Sequence, residues 1–192
     1  MTKIGLQGGV GSFSEVAARK FAHMHHVESF ELNYLISSEG VLAAIDEQRI
    51  DYGVFAIENA QGGVVIESIH ALAHHNCHII SLFHVEISQN LLVTPGIRST
   101  DIKAIHSHQQ ALRQCRNYLA DHYWTCPLVA EDDTAEAARR LSEGDLPETT
   151  AVIANAHCAQ LYGLELLAAD IQDLKHNLTL FAAVEFYKDH SK

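Results

Sequence analysis

Apolar residues recur along this chain in two periods, and the switches between them mark βα units. Residues 3–7 read as a strand, and Phe13, Val16, Ala17 and Phe21 then recur at helical spacing through 12–25. A second unit runs from a strand at 30–35 into a helix at 38–47 with Ser37 or Ser38 as its cap, and a third from 53–57 through a glycine turn into 65–74. The strand at 79–83 continues into 86–93, too long for one strand of a small sheet, so this stretch reads as a passage between lobes. Three further units follow. A strand at 104–106 precedes a helix at 109–121, one at 127–130 precedes 134–143, and one at 151–154 precedes a short helix ending near Gly163. Ser107 suits the first of these helices as N-cap, and Asp132 or Thr134 the second. The last apolar strand, 179–186, has no helix partner and is expected to return to the first lobe.

The pattern predicts an α/β fold of two lobes, each a sheet flanked by helices, with residues 1–83 plus 169–192 in lobe 1 and 84–168 in lobe 2. Ligands of open α/β sheets sit beyond the carboxyl ends of strands, and a cleft between lobes is a favoured place. The turns at 8–14, 57–65 and 106–110 and the second crossing near 175–181 are therefore the expected functional positions.

Composition narrows the function classes. The chain has 192 residues, 47% apolar and 19% charged with 3 prolines, the profile of a folded globular protein. A formal charge of −11 opposes phosphate backbones and anionic lipid, so neither nucleic acid nor membrane is an expected partner. The same field means that an anionic ligand must be held by local donors. The N-terminus lacks the apolar core of a signal peptide, and Cys77, Cys115, Cys126 and Cys158 form no Cys-x-x-Cys pair, so reduced cysteines and a cytoplasmic location are expected.

The turns carry the candidate chemistry. Gly8-Gly9-Val10-Gly11-Ser12-Phe13-Ser14 opens a helix, whose N-terminal N–H groups favour an anion; it lacks both the Lys of a Walker A loop and the third glycine of a dinucleotide fingerprint. Glu58 and Asn59 stand at the end of a strand before Gly62 and Gly63, and Ser107-His108-Gln109 repeats the arrangement in the second lobe. In Asn177-Leu178-Thr179-Leu180-Phe181, strand alternation places Thr179 and Phe181 on one face and Leu178 and Leu180 on the other. Fourteen histidines include His70, His74, His75 and His78, but no metal signature such as His-Glu-x-x-His, and they read as solvated helix-end residues. Tyr118, Tyr123 and Trp124 read as packing against the second core.

In order and spacing, these segments resemble those of the prephenate dehydratases across nearly the whole chain. The first turn with Ala17 and Ala18 is similar to Gly-Pro-Glu-Gly-Thr-Phe-Ser, and Ile57-Glu58-Asn59 with Gly63 to Ile-Glu-Asn-Ser-x-x-Gly-Ser. Asn90-Leu91-Leu92, Pro95-Gly96, Ile102-Lys103 and the run Ser107-His108-Gln109-Gln110-Ala111-Leu112 with Cys115-Arg116 resemble the family's middle section. Asp133-Thr134-Ala135, Leu161-Tyr162-Gly163-Leu164 and Ile171-Gln172-Asp173 extend the likeness. The resemblance implies a fold like type II periplasmic binding proteins, a homodimer or homotetramer, and no metal or organic cofactor. It implies conversion of prephenate, a small dianionic substrate, to phenylpyruvate with loss of water and carbon dioxide in phenylalanine biosynthesis. Thr179 would be the catalytic hydrogen-bond donor and Phe181 a wall for the ring. Gly11, Ser12, Phe13, Glu58, Asn59, Gly63, Ser107, His108, Gln109 and Asn177 would contact substrate.

Four positions depart from the pattern. Leu180 replaces the arginine of the Thr-Arg-Phe motif, Ala60 and Val64 replace two serines, and Val10 replaces a glutamate. Lys175 and His176 are the nearest bases in sequence that could stand in for the arginine. Relatives that decarboxylate prephenate without aromatising it also lack that arginine, so a prephenate decarboxylase-like lyase and a non-catalytic protein binding an aromatic or keto acid are the alternative readings. Members under phenylalanine feedback carry a C-terminal ACT domain; this sequence stops soon after its last strand, so control through such a domain is not expected.

Overall fold

A computed structural model of the chain describes residues 1–187 and divides into two units, Met1–Glu86 with the segment from Leu178 onward, and Ile87–Asn177. The first unit is built from β1 (Thr2–Leu6), α1 (Phe13–Met24), β2 (Phe30–Tyr34), α2 (Ser38–Asp46), β3 (Tyr52–Asn59), β4 (Gly63–Val64), α3 (Ile66–His74) and β5 (Cys77–Glu86). The chain's last strand, here β11 (Leu178–Phe186), completes the sheet order β2-β1-β3-β11-β5, with β4 paired to β3. β1 pairs in parallel with β2 and β3, whereas β11 runs antiparallel to both neighbours. The return of the last strand, expected from its lack of a helix partner, is what the pairing shows.

Helix α2 lies over β3 and β11: Val41, Ala44 and Ile45 share a core with Phe55, Ala182 and Val184. The contact is close enough to require a glycine. A Cβ at Gly53 would sit 2.5 Å from Val41 Cγ1 and 3.0 Å from Val184 Cγ2. At the far side of the same helices, His75 lies 2.5 Å from Asp46 Oδ2 through Nδ1 and 2.9 Å from Glu39 Oε1 through Nε2, joining the end of α3 to both ends of α2. Both carboxylates favour the charged ring, Asp46 most, and hold its pKa above the ordinary histidine value. His75 thus leaves the expected solvated histidine group for an ion-paired joint.

The second unit contains β6 (Asn90–Val93), β7 (Ala104–His108), α4 (Gln109–Gln114), α5 (Arg116–Tyr123), β8 (Leu128–Glu131), α6 (Thr134–Ser142), β9 (Thr150–Ala154), α7 (Ala156–Tyr162) and β10 (Glu165–Ala168). Its sheet order is β10-β6-β9-β7-β8. Helices cover both faces, so alternate strand residues enter different cores. Leu91 and Ile153 meet Ala111, Cys115 and Leu119 of α4 and α5, while Leu92, Val152 and Ala154 meet Ala138, Leu141 and Cys158 of α6 and α7.

Several expectations need correction. The single helix at 109–121 is two helices, because the Cys115 N–H is shared between the Ala111 and Leu112 carbonyls at 3.2 and 3.3 Å and the backbone turns there. His108, not Ser107, caps α4, through Nδ1 accepting from Gln110 N at 3.3 Å. The cap of α6 is Asp133 rather than Asp132 or Thr134; its Oδ1 accepts from Ala135 N at 2.7 Å and Glu136 N at 3.0 Å. Strand β10 is too short and unpatterned to have been expected. Trp124 is 80% exposed, although Tyr123 beside it is 6% exposed in the core.

The crossings fall at 86/87 and 177/178, inside the expected passage at 86–93 and the expected second crossing near 175–181 but beyond the lobe bounds at 83/84 and 168/169. Residues 169–177 stay with the second unit because its backbone holds them: Ile171 N donates to Gln89 O at 2.8 Å and Asp173 N to Gln114 O at 2.7 Å. A buried glutamine network adds to this, with Gln89 N bonded to Gln172 Oε1 at 2.9 Å and Gln89 Nε2 to Gln114 Oε1 at 3.0 Å. Among the described residues no helix is long and apolar enough to cross a membrane.

Candidate functional site

The expected site residues fall in both units, and each set is described within its own. In the first unit β3 and β11 bring Asn59 and Thr179 directly opposite one another. Cross-strand partners project to the same side of a sheet, and Asn59 Nδ2 donates to Thr179 Oγ1 at 2.8 Å. The amide's orientation is fixed by its other end: Asn59 Oδ1 accepts from Gln61 N at 3.0 Å and Gly62 N at 2.8 Å in the turn to β4. Gly63 follows with φ +73°, a value that favours glycine. With Asn59 as donor, the Thr179 oxygen is an acceptor in this pair, and its own hydrogen is left for another acceptor. Thr179 is 6% exposed, so this hydroxyl is held in a largely dry setting.

A bulge adjoins the pair. Leu180 is opposite Glu58 but Phe181 is opposite Ala56, which leaves Ile57 as an extra residue on β3. On the other side β11 and β5 pair regularly here, Thr179 with Val85, Leu180 with His84 and Phe181 with Phe83. Thr179 and Phe181 therefore share one face, and Leu180 lies on the opposite face between Glu58 and His84. Phe181 is 2% exposed and its ring centroid is 6.2 Å from that of Phe83, so it is packed as a core residue.

The glycine turn before α1 holds an anion already, one supplied by the chain. The Gly11 N–H, at φ +83°, donates to Glu15 Oε2 at 2.8 Å, and Arg19 grips Glu15 Oε1 through Nε at 2.9 Å and Nη2 at 2.7 Å. Burial opposes ionisation of Glu15, but the Gly11 N–H and the Arg19 guanidinium outweigh it and hold the pKa below the ordinary carboxylate range. Ser12 Oγ is committed to capping α1 through Glu15 N at 3.3 Å, and Phe13 begins the helix half-buried. The sequence reading missed Glu15, although Ser12-x-x-Glu15 is the capping-box spacing and was the available signal.

In the second unit the strand-to-helix turn after β7 carries Ser107, His108 and Gln109. Ser107 does not face outward: it is fully buried and its hydroxyl donates to the Ile153 carbonyl at 2.6 Å. His108 and Gln109 are exposed. Asn177 is fully buried at the end of this unit, and its carbonyl accepts from Ile87 N at 2.7 Å. Among the described residues no group of three or more His, Cys, Asp and Glu side chains is arranged to hold a metal ion.

Comparison with known proteins decides the family: the description prephenate dehydratase matches residues 4–188. The chain belongs to the prephenate dehydratase family. Arogenate dehydratase/prephenate dehydratase 1 of Arabidopsis thaliana is 34% identical over 180 residues, 93% of this chain and 44% of that protein. The prephenate dehydratase of Lactococcus lactis is 36% identical over 181 residues, 93% of this chain and 62% of that protein. The crystal structure of prephenate dehydratase from Arthrobacter aurescens in complex with L-Phe has a TM-score of 0.88 at 27% identity, covering 98% of this chain and 61% of that one. The chain thus spans about half the length of these relatives. A periplasmic substrate-binding protein of an ABC transporter from Coxiella burnetii, at 13% identity and TM-score 0.51 over 95% of this chain and 84% of that one, shares the fold alone.

Within a prephenate dehydratase frame, the departures at 60, 64 and 180 cluster around β3, β4 and the start of β11. Ala60 and Val64 are exposed on the turn and strand that follow Asn59, and Val64 pairs with Glu58. Of the bases near Leu180 in sequence, Lys175 is tied to the Asp170 carbonyl at 2.5 Å in the second unit. The base across the strand is His84, whose carbonyl accepts from Lys20 Nζ at 2.7 Å. Strand register, invisible in a linear reading, is what brings His84 beside position 180.

Proposed function

We propose that this chain is the catalytic part of a prephenate dehydratase, converting prephenate to phenylpyruvate, water and carbon dioxide. The observation that carries the reading is the Asn59–Thr179 pair, in which the threonine oxygen accepts and its hydroxyl hydrogen is free to be donated. In the reaction the bond from the ring to its carboxylate breaks, its electron pair enters the ring, and the C4–oxygen bond breaks to expel hydroxide. The ring becomes aromatic, and this supplies the drive. Thr179 donates to the departing oxygen as negative charge builds on it; the proton that completes water is made good from solvent, so one proton is taken up per turnover. A preorganised donor in a dry site costs no reorganisation at that moment, which is why one hydroxyl is worth several kcal/mol in water-excluded surroundings, about 3 by analogy with oxyanion donors. Family membership and the order of the motifs support the same reading.

Purified protein supplied with prephenate is expected to form phenylpyruvate. No product above that of a Thr179→Val control overturns the proposal. A second reading rests on Leu180: without an arginine there, the site could decarboxylate prephenate and keep the ring hydroxyl. Mass analysis of the product separates the two, because the retained hydroxyl leaves the product one water heavier.

A further inference from the structure

The second unit has a groove of about 450 Å³ between one face of α4 and α5 and the start of β8, the strand at the edge of its sheet. Leu112, Leu119, Trp124 and Leu128 contribute its apolar walls, and Arg113 of α4 and Arg116 of α5 both line it. The volume lies within the range of small-molecule sites, roughly 300–1,000 Å³.

The arginines give the groove its character. The chain has seven, and five are paired with carboxylates among the described residues: Arg19 with Glu15, Arg49 with Glu47, Arg98 with Asp101, Arg139 with Glu136 and Glu143, and Arg140 with Glu131. Arg113 and Arg116 make no such pair among the described residues, although carboxylates outnumber cations 24 to 13 in the sequence. The two unpaired guanidinium groups are the two on this groove. Beside them Trp124 and Leu128, 80% and 48% exposed, leave flat apolar surface in water. A guanidinium fork binds a carboxylate in two-point fashion, and an indole face takes a planar apolar body.

We propose that this groove binds a small organic carboxylate with a flat apolar body, the carboxylate on Arg113 and Arg116 and the body against Trp124 and Leu128. A second copy of the chain is the less favoured occupant, because two guanidinium groups on an apolar wall with no acid in the lining suit a compact anion. The site goes beyond the dehydratase reading. Gln109, expected to contact substrate, also lines the groove, so the test uses a signal independent of turnover.

Trp124 is the chain's single tryptophan, and its fluorescence reports on this groove. Titration with 3-phenylpropanoate is expected to produce a saturable blue shift, with 3-phenylpropan-1-ol, which lacks the charge, binding roughly tenfold more weakly or worse. The Arg113→Ala, Arg116→Ala double variant should bring the acid down to the level of the alcohol. Arg116→Gln alone, a milder change, should weaken the acid severalfold and leave the alcohol unchanged. Equal binding of acid and alcohol, an acid response that survives the arginine changes, or no saturable response each overturns the proposal. Burial of Trp124 that grows with protein concentration without ligand, matched by a dimer in sedimentation equilibrium, also overturns it in favour of a second copy. Thr179→Val should leave the fluorescence response intact, so failure of this site and failure of the dehydratase reading are told apart.

Discussion

Replacing Thr179 by valine keeps the β-branch and the volume and removes only the hydroxyl. The side chain is 6% exposed between Asn59 and Val85, so packing in β11 should persist. What is lost in the folded state is the acceptor 2.8 Å from Asn59 Nδ2. A neutral hydrogen bond contributes about 0.5–1.5 kcal/mol net, and leaving a donor poorly satisfied costs about 1–3. For a chain of this size, about 1–2 kcal/mol lowers Tm by roughly 2–8 °C. The catalytic loss should be larger. If the hydroxyl donates to the departing oxygen, its removal costs about 2.7–4 kcal/mol of transition-state stabilisation, or about 10²–10³ in kcat, with a smaller change in KM. Phenylpyruvate formation under saturating prephenate measures kcat, and a thermal melt shows that the variant is folded. Thr179→Ser keeps the hydroxyl and should stay within about tenfold of the parent. A folded Thr179→Val protein with unchanged kcat would refute the reasoning. So would a serine variant as slow as the valine one, since the role would then lie in packing rather than in the hydroxyl.

Leu180→Arg puts a guanidinium on the face opposite Thr179, between Glu58 and His84, where Glu58 competes for it; we expect kcat to change less than about threefold, and any fall in KM to grow when Glu58→Gln is added. Steady-state kinetics on the single and double variants check this. Glu15→Gln should destabilise by about 1–3 kcal/mol at neutral pH in denaturant titrations, because the Gly11 N–H and Arg19 lose their charged partner. Since the pKa of Glu15 is depressed on folding, its contribution is present above the ordinary value of 4.5 and lost as pH falls through the lower folded value, so parent and variant should converge in acid. His75 runs the other way: its pKa is raised on folding, so its contribution is full below 6.5 and lost as pH rises through the folded value. Stability of the parent should decline as pH rises from 6.5 through the folded value, and His75→Gln should flatten the decline; an unchanged slope would show that the contacts to Asp46 and Glu39 are not linked to folding.

Much of the fold was written in local periodicity. The helices at the starts of both units, the strands β1, β3, β7 and β9 and the return of β11 follow from residues near in sequence, because burial on one face sets the period. The failures share a cause. The break at Cys115 and the capping of α4 by His108 depend on how a strand hands over to a helix in three dimensions, which residue type alone leaves open. Ser107 looked like a cap because serine caps helices well; the strand carried it one residue too far, into the sheet, where the Ile153 carbonyl takes its hydroxyl. The attachment of 169–177 to the second unit rests on Gln89, Gln114 and Gln172, polar residues that a hydrophobic pattern passes over. At the candidate site, Asn59 and Thr179 were named from sequence, but their hydrogen bond and its direction needed the β3–β11 register. The position of His84 beside Leu180 needed the β5–β11 register in the same way.

The distribution of charge follows from an acidic chain having few cations to place. With 13 basic residues against 24 acidic ones, an unpaired arginine is attracted to the nearest carboxylate, and among the described residues five of the seven arginines have one. The same economy reaches the glycine turn, where Glu15 takes the Gly11 N–H that an anionic ligand would otherwise use. Position 180 has no guanidinium, and its flanking residues are one acid and one imidazole. If the dianion is held at the Asn59–Thr179 pair, the groups that the β3–β11–β5 pairing places around it are a hydroxyl, an amide and an imidazole, with no arginine on these strands. Binding by such donors falls off over hydrogen-bond distances, unlike a net charge, which acts out to a Debye length of about 8 Å in physiological salt. Affinity for substrate should then depend on fit and depend little on ionic strength. Arg113 and Arg116 escape the rule, in a chain where carboxylates are abundant, only because α4 and α5 hold them over an apolar groove that offers them none. Among the described residues neither forms an ion pair, and the groove lining contributes no carboxylate, which is the reason the groove can select one from outside.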